Sequence, residues 1–154
     1  MDILEIIKSD HQKLLDGIAE LEKNAEGTRE DKFNVLMKDN LDHMKAEEDV
    51  FYPVINQQAP EAMMKSIEAH NIARLSMNDL SLTPKEDPWW IAKLQVFRDI
   101  SLSHIREEEG PISDIARSIM SNDQLQEMGN RFQHAKRASI PRPPAEEASA
   151  GSGR

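Results

Sequence analysis

The chain has 154 residues, a net charge of −9, 31% charged but only 5% aromatic side chains, and no cysteine. That length predicts one domain. The acidic balance argues against nucleic-acid or anionic-lipid partners, and the lack of cysteine excludes disulfides, thiolate catalysis, cysteine-ligated zinc and cysteine-held iron–sulfur clusters.

No stretch approaches the roughly 18 apolar residues of a membrane span, and the N-terminal MDILEIIKSDHQKLL is too charged for a signal-peptide core, so the expected location is the cytoplasm. In the same segment Ile3, Leu4, Ile7, Leu14, Ile18 and Leu21 recur every three or four residues, an amphipathic helix with His11 inside its apolar stripe. A turn at Gly27 and Thr28 leads to a second helix from about Asp31 to Gln57, whose stripe reads Phe33, Leu36, Met37, Asn40, His43, Met44, Glu47, Val50 and Phe51. Pro60 opens a third helix, carried by Met63, Met64, Ile67, His70 and Met77 to about Leu80. After the proline-containing loop SLTPKEDP, a fourth runs from about Pro88 through Trp90, Leu94, Phe97, Ser101, His104 and Glu108 until Gly110-Pro111 breaks or kinks it. One or two short helical pieces follow from Ile112 to about Lys136. The predicted domain spans residues 1–137, and the Pro/Ala/Ser/Gly-rich residues 138–154 have too little to bury to fold, which predicts a disordered tail.

An internal repeat changes how the histidines read. Leu41, His43, Glu47 and Glu48 match Leu102, His104, Glu108 and Glu109 in type and spacing, and each HxxxE is preceded by a lone helical histidine, His11 or His70. Two similar helix pairs follow one another. At about 100° per residue, each His and the Glu four later lie within roughly 40° on one helical face. Glu48 and Glu109 are rotated about 140° from their histidines, towards solvent, basic partners or the outside of a ligand. Burying two carboxylates and four imidazoles in an apolar core costs several kcal/mol per unpaired charge, on the order of what a bound cation removes. Two metal ions, each taking two imidazoles and sharing both carboxylates, satisfy the set His11, His43, Glu47, His70, His104 and Glu108. Imidazole with carboxylate suits Fe, Mn or Zn, with iron preferred.

The motifs SDHQKLL, LDHMKAEEDVFYP, EAHNIARL and SHIREEE resemble those of the hemerythrin-like, or HHE cation-binding, family over roughly residues 1–120. The resemblance implies an all-α, antiparallel up-down four-helix bundle, here with a short C-terminal helical extension. It also implies a di-iron centre, oxo- or hydroxo-bridged, on those same six residues. Oxygen-carrying members place another histidine one turn after the third-helix one, where this chain has Arg74. The expected function is therefore reaction with, or sensing of, a small molecule at an open iron position: catalase-like decomposition of hydrogen peroxide, or binding of oxygen or nitric oxide. Iron storage, delivery or sensing without catalysis is the alternative, and the chain is expected as a monomer or homodimer.

Arg74 is the candidate catalytic residue, placed to donate hydrogen bonds to a bound peroxide or a ligating glutamate; an outward, structural position is the plainer reading. Tyr52, nine residues past His43, points about 180° from the ligand face and reads as packing. Glu107 would replace Glu108 only if a kink rotated the helix. His134 reads as a surface residue, the methionines as core filler, and Trp89-Trp90 as a cover for the end of the helices.

Overall fold

A computed structural model describes residues 1–23 and 27–138; residues 24–26 and the tail expected beyond Ala138 lie outside the described residues. Every regular element among the described residues is helical. Helix α1 (Ile3–Lys23) begins on a reciprocal cap: Asp2 Oδ1 accepts from the Glu5 N–H at 2.9 Å and Glu5 Oε2 from the Asp2 N–H at 3.0 Å. Gly27, at φ 66, takes the left-handed turn conformation that a side chain would disfavour. Helix α2 (Arg29–Ala46) continues without a break into a π-helical turn (Glu47–Phe51) and the short α3 (Tyr52–Ile55). Helix α4 (Pro60–Leu82) starts on its proline, and α5 (Pro88–Glu107) starts where Asp87 accepts from the Trp89 N–H at 2.9 Å.

Gly110-Pro111 does not end the fourth helix. Helix α5 runs into a second π-helical turn (Glu108–Ile112) and on into α6 (Ser113–Ile119). Pro111 sits within that wider turn, where the ordinary i→i−4 ladder, which a proline disrupts, is already replaced. Both HxxxE motifs thus enter a π turn at their glutamate, so the sequence repeat is also a repeat of backbone geometry.

The helical pieces expected from Ile112 to about Lys136 are α6 and one longer helix. Helix α7 (Asn122–Ala138) has 17 residues, buries Leu125, Met128 and Phe132, and packs on α1, α2 and the first π turn. It crosses the start of α1 so closely that a Cβ on Gly129 would lie 2.7 Å from the Met1 carbonyl oxygen.

Helices α1, α2, α4 and α5 touch in that cyclic order and enclose two apolar cores. One gathers Ile3, Ile7, Phe51, Ile55, Met63 and Phe132; the other gathers Ile18, Phe33, Leu80, Trp90, Leu94 and Phe97. Along α1, α4 and α5 the polar ligand candidates fall between the two cores, and on α2 His43 and Glu47 straddle the boundary at Met44 and Ala46. On α4 the inward positions are Met63, Ser66, His70, Ala73 and Met77, so Met64 and Ile67 face outward, off the stripe expected for them. Trp90 is fully buried and caps the second core, while Trp89 is exposed.

Candidate metal centre

The six side chains converge from four helices. His11 comes from α1, His43 from α2, Glu47 from the first π turn, His70 from α4, His104 from α5 and Glu108 from the second π turn. Five are buried, and His104 is the most open at 13% of its side chain. Glu47 offers one oxygen to each side: Oε1 lies 2.7 Å from His43 Nε2 and 3.9 Å from His11 Nε2, and Oε2 lies 3.1 Å from His70 Nε2. Glu108 Oε2 stands between His11 Nε2 at 3.4 Å and His104 Nε2 at 3.2 Å. Two donor triads result, His11–His43–Glu47 and Glu47–His70–His104, each with donor atoms within 4.8 Å of one another. They share Glu47.

Protein groups alone leave this cluster poorly satisfied. His43 Nε2, Glu47 Oε1 and both carboxylate oxygens of Glu108 are buried without a hydrogen-bond partner of adequate geometry. His70 Nε2 and His104 Nε2 face each other at 3.0 Å. Burial by itself would lower the His43 pKa, but the Glu47 charge, the hydrogen bond to Asp10, the close approach of Glu47 and the Glu108 charge outweigh it and push it up to about 10. Burial would raise Glu47, yet the His43 charge and the close approach of His43 and His70 hold it well below the usual carboxylate range. For Glu108, burial and the Glu47 charge act upward, and the close approach of His104 and His11 brings it below its ordinary value. Protons held on His43 and His104, whose pKa values are both raised, thus compensate the two carboxylates, and a divalent or trivalent cation would replace them while satisfying the orphaned oxygens. The donor set fits a pair of metal ions.

Carboxylates also hold the outer faces of three imidazoles. His11 Nδ1 lies 3.0 Å from Glu109 Oε1, and His43 Nδ1 lies 2.9 Å from Asp10 Oδ2, which Lys136 Nζ of α7 reaches at 2.6 Å. Glu48 Oε1 is 3.7 Å from His70 Nδ1, an ion-pair distance rather than a hydrogen bond. A carboxylate at Nδ1 draws the N–H outward and turns the Nε2 lone pair towards the centre, the arrangement that metal-ligating histidines use. Phe132 of α7 adds an edge-on contact to the His43 ring, 5.6 Å between centroids.

The model of the hemerythrin HHE cation binding domain matches residues 2–116. The chain belongs to this family. The HHE fold is seen in the crystal structure of a hemerythrin HHE cation binding domain-containing protein from Mycobacterium kansasii. It superposes with a TM-score of 0.79 at 18% identity, over 90% of this chain and 89% of that one. A protein from Nostoc sp. named a DNA nickase is 26% identical over 139 residues, 88% of this chain. The chain spans only 39% of that relative's length.

One residue of this HHE domain stands where helical periodicity did not put it. Tyr52 is no mere packing residue: its hydroxyl lies 3.1 Å from His70 Nε2, 3.3 Å from His104 Nε2 and 3.4 Å from Glu47 Oε2. The π turn is the reason. The Tyr52 N–H donates to the Glu47 carbonyl five residues back, so Tyr52 stacks one turn above Glu47 instead of facing away. Burial first, then the Glu47 and Glu108 charges, push its phenol pKa far up, so it stays protonated beside them. Only the run of residues around Pro53 hinted at an irregular turn.

Arg74 takes the outward position that is the plainer of its two readings. Its guanidinium grips Glu48 at 2.6 and 2.7 Å and is about one-third exposed, and it does not line the central cavity. Four residues past His70, its long side chain follows the rim outward, so its reach to the centre runs through Glu48. Glu107 is exposed beside Lys65, leaving Glu108 as the inward carboxylate, and His134 is exposed as expected.

Proposed function

We propose that this HHE domain holds two iron ions on His11, His43, Glu47, His70, His104 and Glu108 and uses them to react with, or sense, a small molecule. The observation that carries the reading is the set of buried, partnerless carboxylate and imidazole atoms aimed at one another, with Glu47 common to both triads. The helices α1, α2, α4 and α5 are read as an antiparallel up-down four-helix bundle around that pair, with α7 laid along one side. Iron is favoured over manganese or zinc because an open redox position is the simplest reason for a donor set this sparse in charge.

When bound, such a pair supplies Lewis acidity and electron transfer to a small ligand. The chain's own groups do the rest. Leu14, Met44, Ala73, Ile100 and Ile105 line a central cavity of about 20 Å³. That is room for a ligand of two or three atoms, not an organic substrate. The outer carboxylates Asp10 and Glu109 orient His43 and His11, and Arg74 acts as a positioning residue through Glu48. The preferred reaction is conversion of two hydrogen peroxide molecules into two water molecules and one oxygen, with oxygen or nitric oxide binding next. The nicking named for the Nostoc relative is not carried over, since most of that protein lies outside the match and this chain is acidic.

Metal analysis with an optical spectrum tests the centre: two irons per chain with oxo-to-iron charge-transfer bands are expected. The ferric protein should then evolve oxygen from peroxide, and His43→Ala should abolish it. Iron-loaded protein without that activity removes the catalase reading, and rapid loss of iron to a chelator would favour iron delivery instead.

A further inference from the structure

The repeat that positions the ligands also positions two polar side chains deeper in the cavity. Asn40 stands three residues before His43 and Ser101 three before His104, which makes them equivalent positions of the two halves. Both line the central cavity, and both are 8% exposed. Apart from the ligands, the lining around them is apolar: Leu14, Met44, Ala73 and Ile105 stand beside them.

Neither is satisfied by protein. Asn40 Nδ2 donates to Met77 Sδ at 3.4 Å, a weak acceptor that uses one of two amide hydrogens. A buried helical serine can return its hydroxyl to a carbonyl of the preceding turn, as Ser113 does here. Among the described residues Ser101 makes no such bond. Two nearly buried polar side chains, one in each half, therefore line the small space beside the ligand cluster, with one amide hydrogen and one hydroxyl left over.

We propose that Asn40 and Ser101 form the ligand-contacting face of the centre and hydrogen-bond a small anion of the peroxide or azide class through Asn40 Nδ2–H and Ser101 Oγ–H. This rests on the reading of the cluster as a metal pair open to small molecules. It specifies the ligand as an anionic hydrogen-bond acceptor in preference to a neutral diatomic gas. A purely apolar pocket favours the neutral gas, because an anion loses its hydration there, whereas two donors offset that loss for the ligand that accepts.

The test titrates the iron-loaded full chain optically with azide, and the reduced protein with nitric oxide, in wild type, Asn40→Leu, Ser101→Ala and the double variant. Iron content and melting temperature serve as folding controls. Azide affinity should fall about tenfold for each substitution, the usual worth of a hydrogen bond to a charged group, while nitric oxide affinity changes less than about twofold. Unchanged azide affinity in fully loaded Ser101→Ala and in the double variant would overturn the proposal. So would a parallel loss for both ligands, which would mean a deformed cavity. If Asn40→Leu fails to load iron, Ser101→Ala alone decides. Should wild type load iron and bind neither ligand, the reading of an open centre falls and this inference with it; azide binding with indifferent variants leaves that reading intact.

Discussion

The two halves of the repeat share their ligands and differ in what surrounds them. In the first half His43 has Asp10 at its outer nitrogen, Lys136 behind Asp10, and Phe132 across its ring. In the second half the residue before the lone histidine is Ala69 rather than an aspartate, and among the described residues no carboxylate reaches the outer nitrogen of His104. Ala69 and His104 instead line a groove between α4 and α5 that opens to the surface. Five residues past the glutamate the contrast recurs, with Tyr52 turned into the cluster in the first half and Ser113 bonded back to the Glu108 carbonyl in the second. The first half is braced, by α7 above all; the second is open. Where the candidate ligands are near-identical, the environment rather than the donor set makes one side tightly held and leaves the other facing the exterior.

The largest effect should come from the shared carboxylate. Glu47 belongs to both triads, so Glu47→Ala should reduce iron from two per chain to below one, whereas Glu108→Ala should retain more; metal analysis after gel filtration compares them. Asp10→Asn probes the brace directly. Loss of an outer carboxylate costs roughly 10–100-fold in metal affinity, so this variant should release one iron first to a competing chelator, and Ala69→Asp should slow the release from the other half.

pH should act in a defined direction. In the metal-free chain the His43 pKa is raised from 6.5 to about 10. Its stabilising contribution is therefore complete below about 6.5 and lost as pH rises through about 10. Metal must displace that proton, so binding releases acid and tightens as pH rises. The rise in melting temperature on iron loading should be larger at pH 8 than at pH 6, and a weakly buffered titration should record proton release. A pH-independent stabilisation would contradict the proton–metal exchange.

Smaller effects separate Tyr52 from its counterpart. Tyr52→Phe removes one buried hydroxyl, about 1 kcal/mol of stability, and should alter the optical spectrum of the loaded protein while keeping two irons. Ser113→Ala should leave the spectrum unchanged. Arg74→Ala should be the mildest, because a partly exposed pair with Glu48 contributes on the order of 0–1 kcal/mol. A complete loss of peroxide turnover in that variant, with iron retained, would place Arg74 closer to the chemistry than its contacts do.

The amino-acid pattern by itself determined the all-helical fold, the division into two helix pairs, and the six residues that meet at the centre. Those features depend on local periodicity: the apolar stripes recur every three or four residues, and HxxxE puts both groups on one face wherever the helix is placed. Tertiary structure decided what local periodicity cannot carry. A π turn adds one residue per turn with no mark in the hydrophobic pattern, and it swung Tyr52 into the cluster. The bracing of His11 by Glu109, of His43 by Asp10 and of Asp10 by Lys136 joins residues 98, 33 and 126 positions apart, pairings that exist only once the helices have packed. The weight of α7 was hidden for the same reason, since its amphipathic stripe was plain but the surface it covers belongs to α1 and α2. The ligands were legible because each helix presents its own, and the asymmetry that surrounds them was not, because it is made between helices.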